Sequence, residues 1–64
     1  MLNIYGEIVQ LTPAQKREYV SLLDGPVFVN WKSRRYPVLE ALKNKGLVKV
    51  MFVIGNATRY GRWM

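Results

Sequence analysis

Residues 47–54, Leu47-Val48-Lys49-Val50-Met51-Phe52-Val53-Ile54, form a β-prone apolar run that a single cation interrupts, and Gly55-Asn56 follows it directly. Branched and aromatic side chains in that density favour a pleated strand over a helix. A Gly-Asn pair, glycine first, fits the two-residue type II′ turn that closes a hairpin. Ala57 to Met64 is then the expected return strand. Counting out from the turn pairs Ile54 with Ala57, Phe52 with Arg59, Val50 with Gly61 and Val48 with Trp63. One face of this hairpin is apolar and anchored by Trp63. The other carries Lys49, Met51, Val53, Thr58, Tyr60 and Arg62. The side-chain period of a strand is two, so the register decides which set is buried. Met51, Val53 and Tyr60 would form a second apolar surface, covered either by a partner or by the chain's own N-terminal part.

The upstream half carries helix punctuation. Thr12-Pro13-Ala14-Gln15 reads as a start: a hydroxyl cap, a proline in the first turn, and a glutamine three residues on to complete a capping box. Tyr19, Val20 and Leu23 share a face of the predicted helix, with Lys16, Arg17 and Ser21 turned outward. Asp24-Gly25-Pro26 ends it. Val27-Phe28-Val29 is strand-like but too short to stand alone and needs a neighbouring strand. Pro37 predicts a second helix starting near Tyr36. Val38, Leu39 and Leu42 are its buried stripe, Lys43 and Lys45 lie in its last turn, and Gly46 stops it. Leu2, Ile4 and Ile8, with Gly6 between, predict a short N-terminal strand.

This order predicts an α+β fold in a single domain over 1–64: two helices on one side of a three- or four-stranded antiparallel sheet that ends in a C-terminal β-hairpin. With 64 residues, the core is thin. The chain has no cysteine and no histidine, which removes disulfides, thiolate zinc sites and the usual general base. Glu7, Glu18, Asp24 and Glu40 fall on separate elements, and Ser21 and Ser33 have no base to activate them. The reading is of a protein without catalysis, metal or cofactor. The start lacks a signal-peptide pattern and no apolar stretch reaches membrane-spanning length, so the expected location is the cytoplasm.

Charge points to a partner. Residues 30–64 hold eight cations and one acid, a net +7, while residues 1–29 carry −1, giving the chain its +6. Such a split favours a polyanion, most often nucleic acid, as partner. The candidate contact residues are Lys32, Ser33, Arg34, Arg35, Tyr36, Lys43, Lys49, Arg59 and Arg62. Lys32, Arg34 and Arg35 can neutralise phosphates, Ser33 and the helix N–H groups can bind one, and Trp31 and Tyr36 can stack on sugar or base. The alternative is that the two aromatics pack the core or its rim and the cations are solvated. Arg59 either reaches a partner or lays its stem over Phe52.

Val38-Leu39-Glu40-Ala41-Leu42-Lys43-Asn44-Lys45-Gly46-Leu47-Val48, followed by an aromatic and basic hairpin, resembles winged-helix DNA-binding domains, and Leu11-Thr12-Pro13-Ala14-Gln15 resembles the opening of their first helix. The resemblance covers roughly residues 11 to 64. It implies that the second helix is the recognition helix, that the hairpin is the wing, and that duplex DNA is the partner, in transcriptional or phage regulation. One element departs from the pattern. The middle helix of a helix-turn-helix must be absent or cut to a turn, since only residues 25–36 lie between the two helices. Small phage and plasmid proteins often carry such trimmed forms, some of which bind a host protein instead, and a homodimer is a further alternative.

Overall fold

The computed structural model describes residues 2–63. Helix α1 spans Pro13–Ser21 and tightens into a 3-10 turn at Leu22–Asp24. Strand β1 spans Val27–Asn30, helix α2 Arg35–Asn44, strand β2 Val48–Ile54 and strand β3 Ala57–Arg62. The strands form one antiparallel sheet in the order β1-β3-β2, so β3 is central and the short β1 gains the neighbour it requires. The α+β architecture with a C-terminal hairpin is as expected, with three strands. The end of the expected return strand at Met64 lies outside the described residues.

Both helices follow their local chemistry. The Thr12 hydroxyl accepts the Gln15 N–H at 3.2 Å, and the Gln15 side chain accepts the Thr12 N–H at 3.1 Å, closing the capping box. In α2, Pro37 occupies the first turn, where no intrahelical partner is available for an N–H. At the hairpin, Gly55 takes φ +56°, the left-handed backbone that its turn requires.

The core consists of Leu22, Val29, Leu39, Leu42, Leu47, Val48 and Tyr60, with Val9, Leu11, Tyr19, Val27 and Tyr36 packed around it. Leu39 and Leu42 are buried as expected. Helix α1 is rotated from the expected stripe: Val20 and Leu23 stay half exposed, and Leu22 is the buried residue. Its tightened last turn changes the angular spacing per residue and brings Leu22 under the sheet.

Two further expectations fail. The segment before α1 is not a sheet strand. Leu2 and Ile8 make one isolated antiparallel bridge around a tight turn. The Asn3 side chain ties that turn down, accepting N–H bonds from Tyr5 and Glu7 and donating to the Lys45 carbonyl at 2.8 Å. The hairpin register also shifts. Ile54 pairs with Ala57 and Phe52 with Arg59 as expected, but Val50 pairs with Tyr60 and Val48 with Arg62. A bulge at Met51 absorbs the extra residue. It turns Val48 and Val50 toward the helices with Tyr60, and it sends Lys49 and Met51 to the outer face. Tyr60, on the face expected to be covered either by a partner or by the chain's own N-terminal part, is fully buried within the chain.

Candidate nucleic-acid interface

The nine candidate residues separate into two groups. In the first, the fold has already engaged the side chain. Arg35 forms a bidentate pair with Glu18, its Nε donating at 2.8 and 3.1 Å and its terminal nitrogen lying 2.8 Å from the same carboxylate. This joins the start of α2 to α1 and leaves Arg35 little freedom to meet a phosphate. Lys43 donates to Glu40 at 3.1 Å. Tyr36 is half buried, with its ring edge on Tyr60 at a centroid distance of 6.3 Å and its hydroxyl directed at Glu40. Ser33 accepts the Arg35 N–H at its hydroxyl, and its backbone completes the turns between β1 and α2. Lys45, outside the candidate set, is bound to Gln10 and Gln15 at 2.7 Å.

In the second group are Lys32, Arg34, Lys49, Arg59 and Arg62, none of which pairs with a carboxylate among the described residues. Lys32 and Arg34 are exposed in the loop after β1. The Trp31 N–H donates to the Asn56 carbonyl at 2.9 Å, which fixes this loop beside the hairpin turn. Arg59 lies in the middle of the outer sheet face with its guanidinium 5.6 Å from the Phe52 centroid. Lys49 stands 5.5 Å over the Trp63 ring. Arg62 ends β3 and is exposed. The cations therefore do not form one cluster. They run from the loop, along the outer face, to the far end of the hairpin, a distance of roughly 20 Å for the six residues between Ala57 and Trp63.

The same face carries aromatic residues that the charge-based reading missed. Phe28 on β1 and Phe52 on β2 flank Arg59 on β3, their centroids 5.9 Å apart. They are 48% and 42% exposed, and Trp63, Met51 and Ile54 are exposed beside them. The signal was present in the sequence as alternation: Val27 and Val29 face the core, so Phe28 must face away. Both helices lie on the opposite side. The three strands contain no acid. The Nε of Arg59 is buried and has no hydrogen-bond partner among the described residues. A cleft of about 300 Å³ opens at the far end of the face, where Lys49, Met51, Gly61 and Arg62 meet the turn from Leu22 to Pro26, with Asp24 on its rim.

On the inner side, Glu40 accepts from Tyr60 at 3.0 Å as well as from Tyr36 and Lys43. Burial, then the bond to Glu40 and its charge, push the Tyr60 hydroxyl far above the ordinary tyrosine range. This cluster supports the core, with the Glu40 side chain 27% exposed. Among the described residues no group of acidic side chains is arranged to hold a metal, and no helix is long and apolar enough to cross a membrane.

No known protein family, curated protein or solved structure matches the chain.

Proposed function

We propose that the protein is a small nucleic-acid-binding module of the cell interior, contacting its partner through the loop Trp31–Arg34 and the outer face of the sheet. One observation carries this reading: Lys32, Arg34, Lys49 and Arg59, none paired with a carboxylate among the described residues, border or lie on a surface that contains aromatic rings and no strand acid. Cations so placed neutralise phosphates, and exposed rings between them offer contact area to sugar and base.

The order helix, strand, helix, hairpin supports a shortened winged-helix assignment, in which a turn at 31–34 stands in for the middle helix. Duplex DNA is the partner that this resemblance implies. Helix α2 offers little for reading a groove, however. Its outward residues are Pro37 and Asn44, with Arg34 at its cap, while Arg35 and Lys43 are held by carboxylates. The sheet face and the basic loop are therefore the better contact surface, and any regulatory role would act through them.

The test is a nucleic-acid titration at two salt concentrations. Four phosphate contacts, by Lys32, Arg34, Lys49 and Arg59, correspond on a single strand to a slope of about −0.7 each, or roughly a 50-fold loss between about 50 and 200 mM salt. The double variant Lys32→Ala, Arg34→Ala should flatten that slope by about half. Affinity that ignores salt refutes the reading. Binding of the same strength after the loop cations are removed would exclude the loop.

A further inference from the structure

We propose that the outer face of the sheet binds single-stranded nucleic acid, with bases stacking on Phe28 and Phe52 while Arg59 between them and Lys49 beside Trp63 meet the backbone. The proposal rests on the nucleic-acid reading above and specifies the strand state and the contacting rings.

Three features select this occupant. First, the rings are half exposed on a regular sheet and held by backbone pairing on both sides of β3, so they form a fixed platform. Bases in a duplex are already stacked on each other and expose only their edges, whereas an unpaired base exposes its π-face to such a ring. Second, cations lie among the rings in successive rows of the face. Arg59 sits in the row of Phe28 and Phe52, and Lys49 lies opposite Gly61, one step further at about 7 Å. Gly61 has no side chain, and Met51 lies directly over it, with its sulfur 2.9 Å from where a Cβ would stand. Met51 thus fills the space over the central strand between Arg59 and Trp63. Third, the Arg59 Nε has no hydrogen-bond partner among the described residues, and the three strands carry no acid. A phosphate or base oxygen supplies one when the guanidinium turns outward.

A second copy of the chain fits this face less well. A two-fold contact would oppose Arg59 and Lys49 with their own images, with no strand acid to offset them, in a pair of chains each carrying +6.

The experiment compares three probes at one low salt concentration: an oligothymidylate of about ten nucleotides, a strand of the same length carrying abasic residues, and a short duplex. Binding is read by anisotropy of a label on the probe, and sedimentation equilibrium is run on the free protein. The abasic strand keeps the phosphates and lacks the bases, so it separates stacking from charge. Thymidylate should bind at least about tenfold tighter than the abasic strand, and tighter than the duplex. Phe28→Ala and Phe52→Ala should each weaken thymidylate binding by about tenfold and leave the abasic strand unaffected. Phe52→Leu, which keeps the apolar contact with Phe28, guards against a folding defect, and circular dichroism checks all three. Equal affinity for thymidylate and abasic strands overturns the stacking proposal and leaves the nucleic-acid reading intact, as does preference for the duplex. Failure to bind any of the three probes overturns both. A stable dimer that oligonucleotide does not dissociate assigns the face to a second copy and overturns the proposal.

Discussion

Replacing Tyr60 by phenylalanine removes one oxygen from a fully buried ring on the central strand. The ring, its packing and its edge contact with Tyr36 remain. What is lost is the 3.0 Å bond to Glu40 Oε2, while Lys43 and Tyr36 still engage the other carboxylate oxygen. A hydrogen bond to a charged group contributes about 1.5–3 kcal/mol net. The Glu40 side chain keeps 27% of its surface, so water can partly replace the lost donor, which places the expected cost near the lower end, about 1.5 kcal/mol. A chain of this size has roughly 3–10 kcal/mol of stability in all. The loss should lower Tm by about 6–12 °C in a thermal melt followed by circular dichroism. The same contact sets an alkaline limit. The folded-state pKa of Tyr60 is raised above its unfolded value near 10, so its contribution is complete below pH 10 and is lost as pH rises from there toward the folded value. Native Tm should therefore fall above about pH 10, and the Tyr60→Phe chain should lack that component of the fall. A Tm change under about 2 °C, or an alkaline limb unaltered by the substitution, would refute the role assigned to the Glu40 contact.

Arg35→Ala leaves Glu18, only 16% exposed at its side chain, without its bidentate partner, so it should cost about 1–2 kcal/mol in urea unfolding while changing nucleic-acid affinity less than twofold. The Lys32→Ala, Arg34→Ala pair should do the reverse, weakening binding with a melt within about 0.5 kcal/mol of the parent chain. Gly46→Ala places a Cβ 3.0 Å from the Tyr5 ring on a backbone with φ +77°, so a loss of about 1–2 kcal/mol and a loosened N-terminal turn are expected, the latter read as faster amide exchange near Ile4. Leu42→Ala should cost about 2–5 kcal/mol, enough to leave so small a core largely unfolded near 37 °C by calorimetry.

The helix boundaries were legible because they depend on residues within one turn of each other. Thr12 with Gln15, and Pro37 at the start of α2, act locally whatever packs against them. The hairpin turn and its nearest pairs were legible for the same reason: Gly55-Asn56 fixes the register for a few residues on each side. Further out the reading failed at Met51. No local preference marks that residue as the bulge, which follows from packing Val48 and Tyr60 beneath the helices together with Met51 over Gly61. The site followed a similar course. Charge density drew attention to Arg35 and Lys43, and long-range and helix-local partners, Glu18 and Glu40, had already engaged them.

By its own sequence the chain determined two short capped helices, a C-terminal hairpin, a cation-rich second half and the lack of thiol or imidazole chemistry, since each depends on residue type or on neighbours a few positions apart. The tertiary structure alone decided the inner and outer faces of the sheet beyond Phe52, and thereby that Val48, not Lys49, joins Tyr60 in the core. One inserted residue in a strand reverses every side chain beyond it, and the position of that insertion is set by contacts between segments distant along the chain.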